Sequence, residues 1–333
     1  MSAAADSIPA LLADAGWFSD CTATPIGGTG NNAVFRIEHA GCRYVLKRYF
    51  HHPGDPRDRF ATERAFCTFL WDAGVRSTPE PLRWDAERRL GLFECAAGTR
   101  PERATPELVE AALRFFAEAN AHRNSAAARA LPQASEACFS VSEHLDRVAR
   151  RVDRLRQIAP DSDIAARAAA FVADELTPAW QSVLDRAHRV VATTGQDRPL
   201  DPADRCLSPS DFGFHNALAT PDGAVRFVDF EYAGWDDPAK LVCDFFCQPA
   251  VPVGEEFLNA FVRGLGEFDT PGLRQRVSTL LPVYRIKWCC IMLNEFLPTD
   301  HRRRAFSDPA HDVVVRRRAQ LDKAVRALRS IDS

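Results

Sequence analysis

The chain has 333 residues, a formal net charge of -3 at pH 7 and a pI near 6.3, and 46% of its residues are hydrophobic. This composition can fill one large core or two moderate ones, and the lack of net positive charge argues against nucleic acid as a partner. No apolar run approaches the roughly 20 residues of a membrane span and no secretory signal is evident, so we expect a cytoplasmic protein without membrane contact.

The N-terminal part of the chain predicts a small antiparallel sheet with one helix. Apolar residues alternate with polar ones between turn residues, which favours strands. After a break rich in proline and glycine, residues 59–71 carry aromatic and aliphatic side chains at a helical spacing. The expected strands lie at residues 22–26, 33–38, 44–50, 82–84 and 90–93.

Two charged residues stand out within this unit. Lys47 lies in an alternating stretch that aims its side chain inward, where an ammonium group is costly unless it meets a carboxylate or a phosphate. Glu63, on the helix that follows, is well placed to pair with it. Two solvated surface charges are the alternative interpretation.

Past Gly98 the pattern becomes mostly helical. Thr105 and Pro106 are an N-cap followed by proline at the first helical position. Pro178 is expected to kink or split a long helix over residues 164–191. The arginines between residues 147 and 156 are interpreted as a solvated helix face, and the ten scattered cysteines as reduced, mostly buried thiols. Further helical patterns cover residues 105–119, 145–155, 254–266, 272–297 and 309–330, and only residues 205–230 look strand-like.

The most informative segment is the strand-like one. Asp211 and Asn216 lie five positions apart in a short loop, and Asp229 ends an apolar run that predicts a buried strand over residues 225–228. Phosphoryl transfer from a nucleotide needs a carboxylate to orient the attacking hydroxyl, and oxygen ligands that hold Mg²⁺ against the phosphates. These residue types, in this order, predict that chemistry. An ordinary loop aspartate and a strand-end cap are the structural alternatives.

This segment resembles the catalytic and metal loops of the aminoglycoside phosphotransferase and choline kinase family. The resemblance implies an α+β, protein-kinase-like bilobal fold, with a small mixed N-lobe over residues 1–95 and a mostly helical C-lobe over residues 96–333. It also implies ATP- and Mg²⁺-dependent phosphorylation of a hydroxyl on a small-molecule acceptor. No oligomeric state is predicted.

The resemblance assigns a role to each candidate residue. Asp211 would position the acceptor hydroxyl, and Lys47, held by Glu63, would bind the α- and β-phosphates. Asn216 and Asp229 would hold Mg²⁺. The turn at residues 27–32 would cover the nucleotide phosphates, and the segment after the fifth strand would meet the adenine edge. The residues concerned in these last two elements are Gly28, Gly30, Glu94 and Ala96.

Several alternatives remain open. The glycine-rich turn lacks the full G-x-G-x-x-G spacing and suits a plain hairpin. Pro209 stands where the family has a histidine, and His215 is interpreted as a polar loop residue rather than its replacement. Glu231 would touch metal or substrate, or neither, and Asp244 is interpreted as structural. A kinase-fold regulatory or scaffold protein that binds nucleotide without turnover is the alternative function.

The acceptor could be an aminoglycoside, an amino alcohol or a sugar-like compound. A cationic acceptor would need several carboxylates near Asp211. A sugar would need amide and aromatic side chains instead. The carboxylate candidates are Glu231, Asp236, Asp237 and Glu295, and the sugar-binding candidates are Asn294, Trp235 and Trp288.

Overall fold

The computed structural model describes residues 8–26, 32–52, 55, 57–195, 197–297 and 313–329. Its N-terminal part contains an antiparallel five-stranded sheet in the order β1-β2-β3-β5-β4. The two-residue turn between β2 and β3 is formed by Ala40 and Gly41, both at positive φ, as hairpins of this length require. The strands are β1 (Thr22–Pro25), β2 (Ala33–His39), β3 (Cys42–Arg48), β4 (Pro81–Asp85) and β5 (Leu90–Glu94).

Two helices flank this sheet. Helix α1 (Ile8–Asp14), which the sequence analysis did not predict, buries Ile8 and Leu12 in a small apolar cluster with residues of β2, β3 and β5. Helix α2 (Arg59–Asp72) was predicted, and Asp58 caps it by accepting a hydrogen bond from the Ala61 N–H. The five strands and α2 confirm the expected small mixed unit.

The C-terminal part is mostly helical, as predicted. The expected break at Pro178 is confirmed, because a π-helical turn over Val172–Leu176 joins two helices there. The described α-helices of this part are α3 (Pro106–Asn120), α4 (Ala126–Arg129), α5 (Val141–Leu155), α6 (Asp163–Phe171), α7 (Thr177–Thr194), α8 (Pro238–Cys247), α9 (Leu258–Gly264), α10 (Pro271–Leu293) and α11 (Val313–Arg329).

Two short pairs of antiparallel strands position the candidate site. Strand β6 (Cys206–Ser208) pairs with β9 (Gly234–Asp236), and β7 (Ala217–Ala219) pairs with β8 (Val225–Phe227). The sequence analysis predicted strands of this part only within residues 205–230, but β9 lies beyond that range. A three-residue strand is too short to show alternation. Helix α8, which begins at Pro238 after its N-cap Asp237, was also not predicted.

Aromatic side chains pack against the segments that carry Asp211 and Asp229. The Phe115 ring of α3 stacks on Phe227 at 4.7 Å between centroids and lies 5.8 Å from both Phe212 and Phe230. Phe230 also contacts Phe66 of α2, so the same cluster joins the sheet-side helix to the helical part. Close packing of large rings resists displacement, so the residues on either side of them are held in place.

All ten cysteines lie in the described residues as free thiols, and six of them are buried. Among the described helices, none has the length and apolar character that crossing a bilayer requires. The boundary between residues 95 and 96 remains a prediction, and the structure ends β5 at Glu94.

Candidate active site

The loop that carries Asp211 is fixed at its base. Asn120 of α3 donates its side-chain amide to the Leu207 carbonyl at 3.0 Å and accepts from the Leu207 N–H at 2.8 Å. Ser210 follows at a positive φ of 67°, a conformation that costs a residue with a Cβ about 1 kcal/mol. The Lys240 ammonium donates to the Ser210 hydroxyl at 2.9 Å, which holds this turn next to Asp211.

Asp211 is contacted by two residues of its own loop. The Nε2 atom of His215 lies 3.1 Å from Oδ1 of Asp211, and the amide nitrogen of Asn216 donates to Oδ2 at 3.3 Å and to the Asp211 carbonyl at 3.0 Å. Burial opposes charge on both members of the His–Asp pair, but their proximity lowers the pKa of Asp211 and raises the pKa of His215. The pair therefore favours a carboxylate beside an imidazolium. His215 is a polar residue of the loop, as interpreted, and the sequence analysis did not predict its contact with Asp211.

The second loop meets the sheet through Lys47. Its ammonium donates to Oε1 of Glu63 at 2.7 Å and to Oδ1 of Asp229 at 2.8 Å, and all three side chains are buried. Burial alone would lower the pKa of Lys47, but the carboxylates of Asp229 and Glu63 raise it well above its usual value. The lysine is therefore charged, and it links β3, α2 and the loop after β8.

Glu63 is held from two further directions. The Tyr49 hydroxyl donates to Oε2 at 2.8 Å, and the Phe230 N–H donates to Oε1 at 3.0 Å. Asp229 itself has a positive φ of 71°, which is uncommon for a residue other than glycine. Strain of this kind persists where surrounding contacts fix the backbone, and here the bonds of Lys47 and Glu63 do so.

The two loops are joined directly. The Val228 N–H donates to the Asn216 carbonyl at 2.9 Å, which brings the residues predicted as magnesium ligands onto neighbouring backbone segments. Asn216 donates through its amide nitrogen, and Asp229 accepts from Lys47 through Oδ1. The amide oxygen of Asn216 and Oδ2 of Asp229 are the ligand atoms that suit a hard cation. Within the described ranges, no group of three or more His, Cys, Asp or Glu side chains could hold a metal ion.

Glu231 lies behind this cluster. It accepts a hydrogen bond from the Asn32 side chain, and the Arg59 Nε atom is 3.7 Å from its Oε1. Burial and then the charge of Asp229 raise its pKa to about 7. Asn32 is the one residue of the glycine-rich turn that the structure describes, whereas Gly28 and Gly30 lie outside the described residues.

The predicted hinge follows β5. Glu94 pairs with Tyr44 of β3, and its backbone N–H donates to the Glu80 carbonyl at 2.9 Å. Ala96 is half-buried in the connection. At Gly98 the φ of 155° and the Ala219 carbonyl, 2.9 Å from where a Cβ would stand, both require glycine. The nucleotide-binding roles of Glu94 and Ala96 remain predictions.

A second group of buried ion pairs and hydrogen bonds contacts the Asp211 loop through Lys240. Lys240 bonds Oδ2 of Asp236 at 2.6 Å, and Asp244 accepts from the Lys287 ammonium at 2.7 Å and from the Trp288 indole at 3.0 Å. These bonds agree with a structural role for Asp244. Since Lys240 also reaches Ser210, this network supports the loop at the point where Pro209 replaces the expected histidine.

A cavity of about 820 Å³ opens beside Asp211. Asp211, Ser210 and Trp288 line it, together with several arginines of α5. Those arginines were interpreted as a solvated face, which is wrong for Arg147, Arg151 and Arg154 because they are half-buried in the cavity wall. Their helical spacing was visible in the sequence, but the side of α5 that faces the cavity was not.

Together, the antiparallel sheet, the helical part and the two joined loops define a protein-kinase-like phosphotransferase. A profile of the phosphotransferase enzyme family, APH, matches residues 22–276. The chain belongs to this family, which confirms the resemblance to aminoglycoside phosphotransferases and choline kinases. It also confirms the expected enzyme class.

Solved structures agree on the fold. The choline kinase of Streptococcus pneumoniae is 13% identical with a TM-score of 0.57, covering 97% of this chain and 98% of its own. The Plasmodium vivax ethanolamine kinase is 13% identical with a TM-score of 0.56, covering 98% and 86%. A spectinomycin phosphotransferase, solved with ADP and spectinomycin, is 13% identical with a TM-score of 0.55, covering 90% and 92%. Among curated protein sequences, the chain has no match.

Proposed function

We propose that this chain transfers the γ-phosphoryl group of ATP, with Mg²⁺, to a hydroxyl of a small molecule bound beside Asp211. The observation that carries the proposal is the connected set of bonds from Asp211 through Asn216 to the Asp229 loop, and from there to Lys47 and Glu63. It contains the carboxylate, the amide oxygen, the second carboxylate and the lysine that the reaction uses.

Each residue then has a part in the transfer. The acceptor oxygen forms a bond to the γ-phosphorus while the bond from that phosphorus to the β–γ bridging oxygen breaks, and ADP leaves. Asp211 orients the hydroxyl and accepts its proton, and His215 fixes the carboxylate. Lys47 binds phosphate oxygens, and Glu63 holds its ammonium in position.

The oxygen donors of Asn216 and Asp229 fit a magnesium ion. Mg²⁺ prefers oxygen ligands and keeps waters and phosphate oxygens in its shell, so one amide and one carboxylate from the protein are sufficient. When bound, the ion would neutralise phosphate charge. A cytoplasmic location is part of the proposal, and it is supported by the free thiols, since disulfides are rare in reducing compartments.

Replacing the base tests the reaction. We expect Asp211→Asn to lower kcat by about 10²- to 10⁴-fold while Mg-ATP binding, measured by calorimetry, is retained. Asp222→Asn is a matched control, because Asp222 is an exposed loop aspartate. Near-full turnover in Asp211→Asn would refute the assignment. A folded wild type that binds Mg-ATP but neither phosphorylates an acceptor nor hydrolyses ATP would favour the scaffold alternative.

A further inference from the structure

The cavity beside Asp211 has one wall formed by arginines of a single helix. Arg147, Arg150, Arg151 and Arg154 of α5 all line it. Positions i, i+3, i+4 and i+7 fall on one face of a helix, so the four guanidinium groups project in a common direction. We call this wall the arginine face.

The carboxylates that a positively charged acceptor would need are used elsewhere. Asp236 bonds Lys240, and Asp237 accepts from Arg276 and contacts His144. Glu231 bonds Asn32, and Glu295 pairs with Arg316. All four are buried, and none of them lines the cavity.

The carboxylates that do line the cavity are also paired. Glu136 accepts from Arg151, and both Asp244 oxygens bond Lys287 within 3.0 Å. Asp58 pairs with Arg89 at 2.9 Å, and Asp211 with His215 at 3.1 Å. Each negative charge in the wall therefore already has a cationic partner.

Arg147 and Arg150 carry positive charge that is not paired with any carboxylate of the described residues. Within the described ranges, the hydrogen bonds of Arg147 go to the Cys138 sulfur at 3.2 Å and the Ala137 carbonyl at 3.4 Å, and to no carboxylate. Arg150 is exposed and forms no ion pair with any described residue. The buried Nε of Arg151 has no hydrogen-bond partner in the described chain. A guanidinium group bonds carboxylate and phosphate in a two-pronged geometry.

We infer that the arginine face binds an anionic group, a carboxylate or a phosphate, of the hydroxylated acceptor. This inference rests on the proposed phosphotransferase function and names the class of its acceptor. The cavity of about 820 Å³ has room for a small molecule, and Arg147, Arg150 and Asp211 all line it. Amine-bearing acceptors, such as aminoglycosides and amino alcohols, would place positive charge against this wall.

A binding experiment tests the anion site without requiring turnover. The protein is saturated with Mg²⁺ and a non-hydrolysable ATP analogue, so that the nucleotide site is filled, and inorganic phosphate is titrated by calorimetry. We expect saturable binding that the double variant Arg147→Gln, Arg150→Gln weakens by about 10- to 100-fold, because hydrogen bonds to charged groups are lost. Arg186→Gln is the control, since Arg186 is exposed on α7. Equal affinity in wild type and double variant, or no saturable binding, would overturn the inference.

A transfer experiment then tests the acceptor class. Two matched panels are offered with Mg-ATP: glucose, glucuronate, glucose 6-phosphate and glucosamine, and glycerol, glycerate, glycerol 3-phosphate and 3-aminopropane-1,2-diol. We expect the highest kcat/KM for a carboxylate or phosphate member, which separates the two anion sources, and a loss of that preference in the double variant. Preference for the amine-bearing members would overturn the inference while supporting the enzyme. Phosphate binding that depends on Arg147 and Arg150, without any transfer or ATP hydrolysis, would support the anion site and refute the proposed reaction.

Discussion

The imidazole of His215 lies against the carboxylate of Asp211, with Nε2 and Oδ1 3.1 Å apart. The ring reaches this position because Gly213 has no side chain: a Cβ there would stand 2.8 Å from Nδ1 of His215. The contact uses one carboxylate oxygen of Asp211, while Asn216 donates to the other. The orientation of Asp211 thus depends on two neighbours within the same loop.

Replacing this histidine should slow transfer without preventing folding. We expect His215→Phe to lower kcat by about 10- to 100-fold, because a hydrogen bond to a charged group is lost, and to leave the KM for ATP nearly unchanged. His215→Gln, whose amide can still donate, should recover part of the loss. Steady-state kinetics at saturating acceptor measure both. Equal rates in His215→Phe and wild type would show that the contact does not position Asp211.

The sequence predicts the parts of this site that depend on short-range pattern. Strand alternation directs Lys47 inward, and Glu63 lies on the helix that follows. In the structure Nζ of Lys47 is 2.7 Å from Oε1 of Glu63. The turn residues and apolar runs likewise predict the five strands of the sheet. These features are local, because each follows from the period of one strand or helix.

Other features depend on a specific turn or on packing between segments. The contact of His215 with Asp211 follows from the tight turn at Gly213, and the position of α5 relative to the cavity follows from its packing on α10. Neither is encoded in a periodicity, so the side of α5 that faces solvent could not be predicted. Strand β9 is too short to show a pattern, whereas Asp237 followed by Pro238 was a helix-start signal that could have predicted α8.

The magnesium assignment predicts a loss of metal-dependent binding. We expect Asp229→Ala to abolish the Mg²⁺-dependent part of ATP affinity, because the amide oxygen of Asn216 cannot replace a carboxylate. Calorimetry of ATP binding with and without Mg²⁺ measures this difference, and Asp269→Ala provides a control outside the candidate site. An unchanged Mg²⁺ effect in Asp229→Ala would leave Asp229 as a structural strand end.

The buried lysine predicts a combined effect on stability and activity. Lys47→Met leaves the carboxylates of Glu63 and Asp229 buried without their cation, and breaking a buried pair in this way costs about 3–5 kcal/mol. We expect the free energy of unfolding to fall by about that amount and phosphate transfer to be lost. Urea denaturation and an ADP-release assay measure the two effects. Lys323→Met, at an exposed lysine of α11, should alter neither. A stable, fully active Lys47→Met protein would contradict both roles.

The last prediction concerns a buried histidine away from the candidate active site. His144 of α5 bonds the Tyr284 hydroxyl through Nδ1 at 2.8 Å and Asp237 through Nε2 at 3.2 Å. Burial opposes protonation, but the hydrogen bonds to Asp237 and Cys138 offset it, and the pKa of His144 is raised above its ordinary value of 6.5. Arg276 also pairs with Asp237, so the histidine shares its carboxylate with a fixed charge.

A raised pKa in the folded state means that folding takes up a proton near neutral pH. The stabilisation is therefore fully present below the unfolded pKa of about 6.5 and is lost as the pH rises through the higher folded value. We expect His144→Gln to lower the free energy of unfolding most at pH 6 and progressively less as the pH rises, since the wild type then loses its advantage. Urea denaturation at intervals from about pH 5.5 to pH 9 covers this window. The lowered pKa of Asp237 changes the free energy of unfolding only at lower pH, outside this window. His188→Gln, an exposed position on α7, controls for removal of a histidine. If the curves for wild type and His144→Gln run parallel over this range, the proton is not taken up at His144.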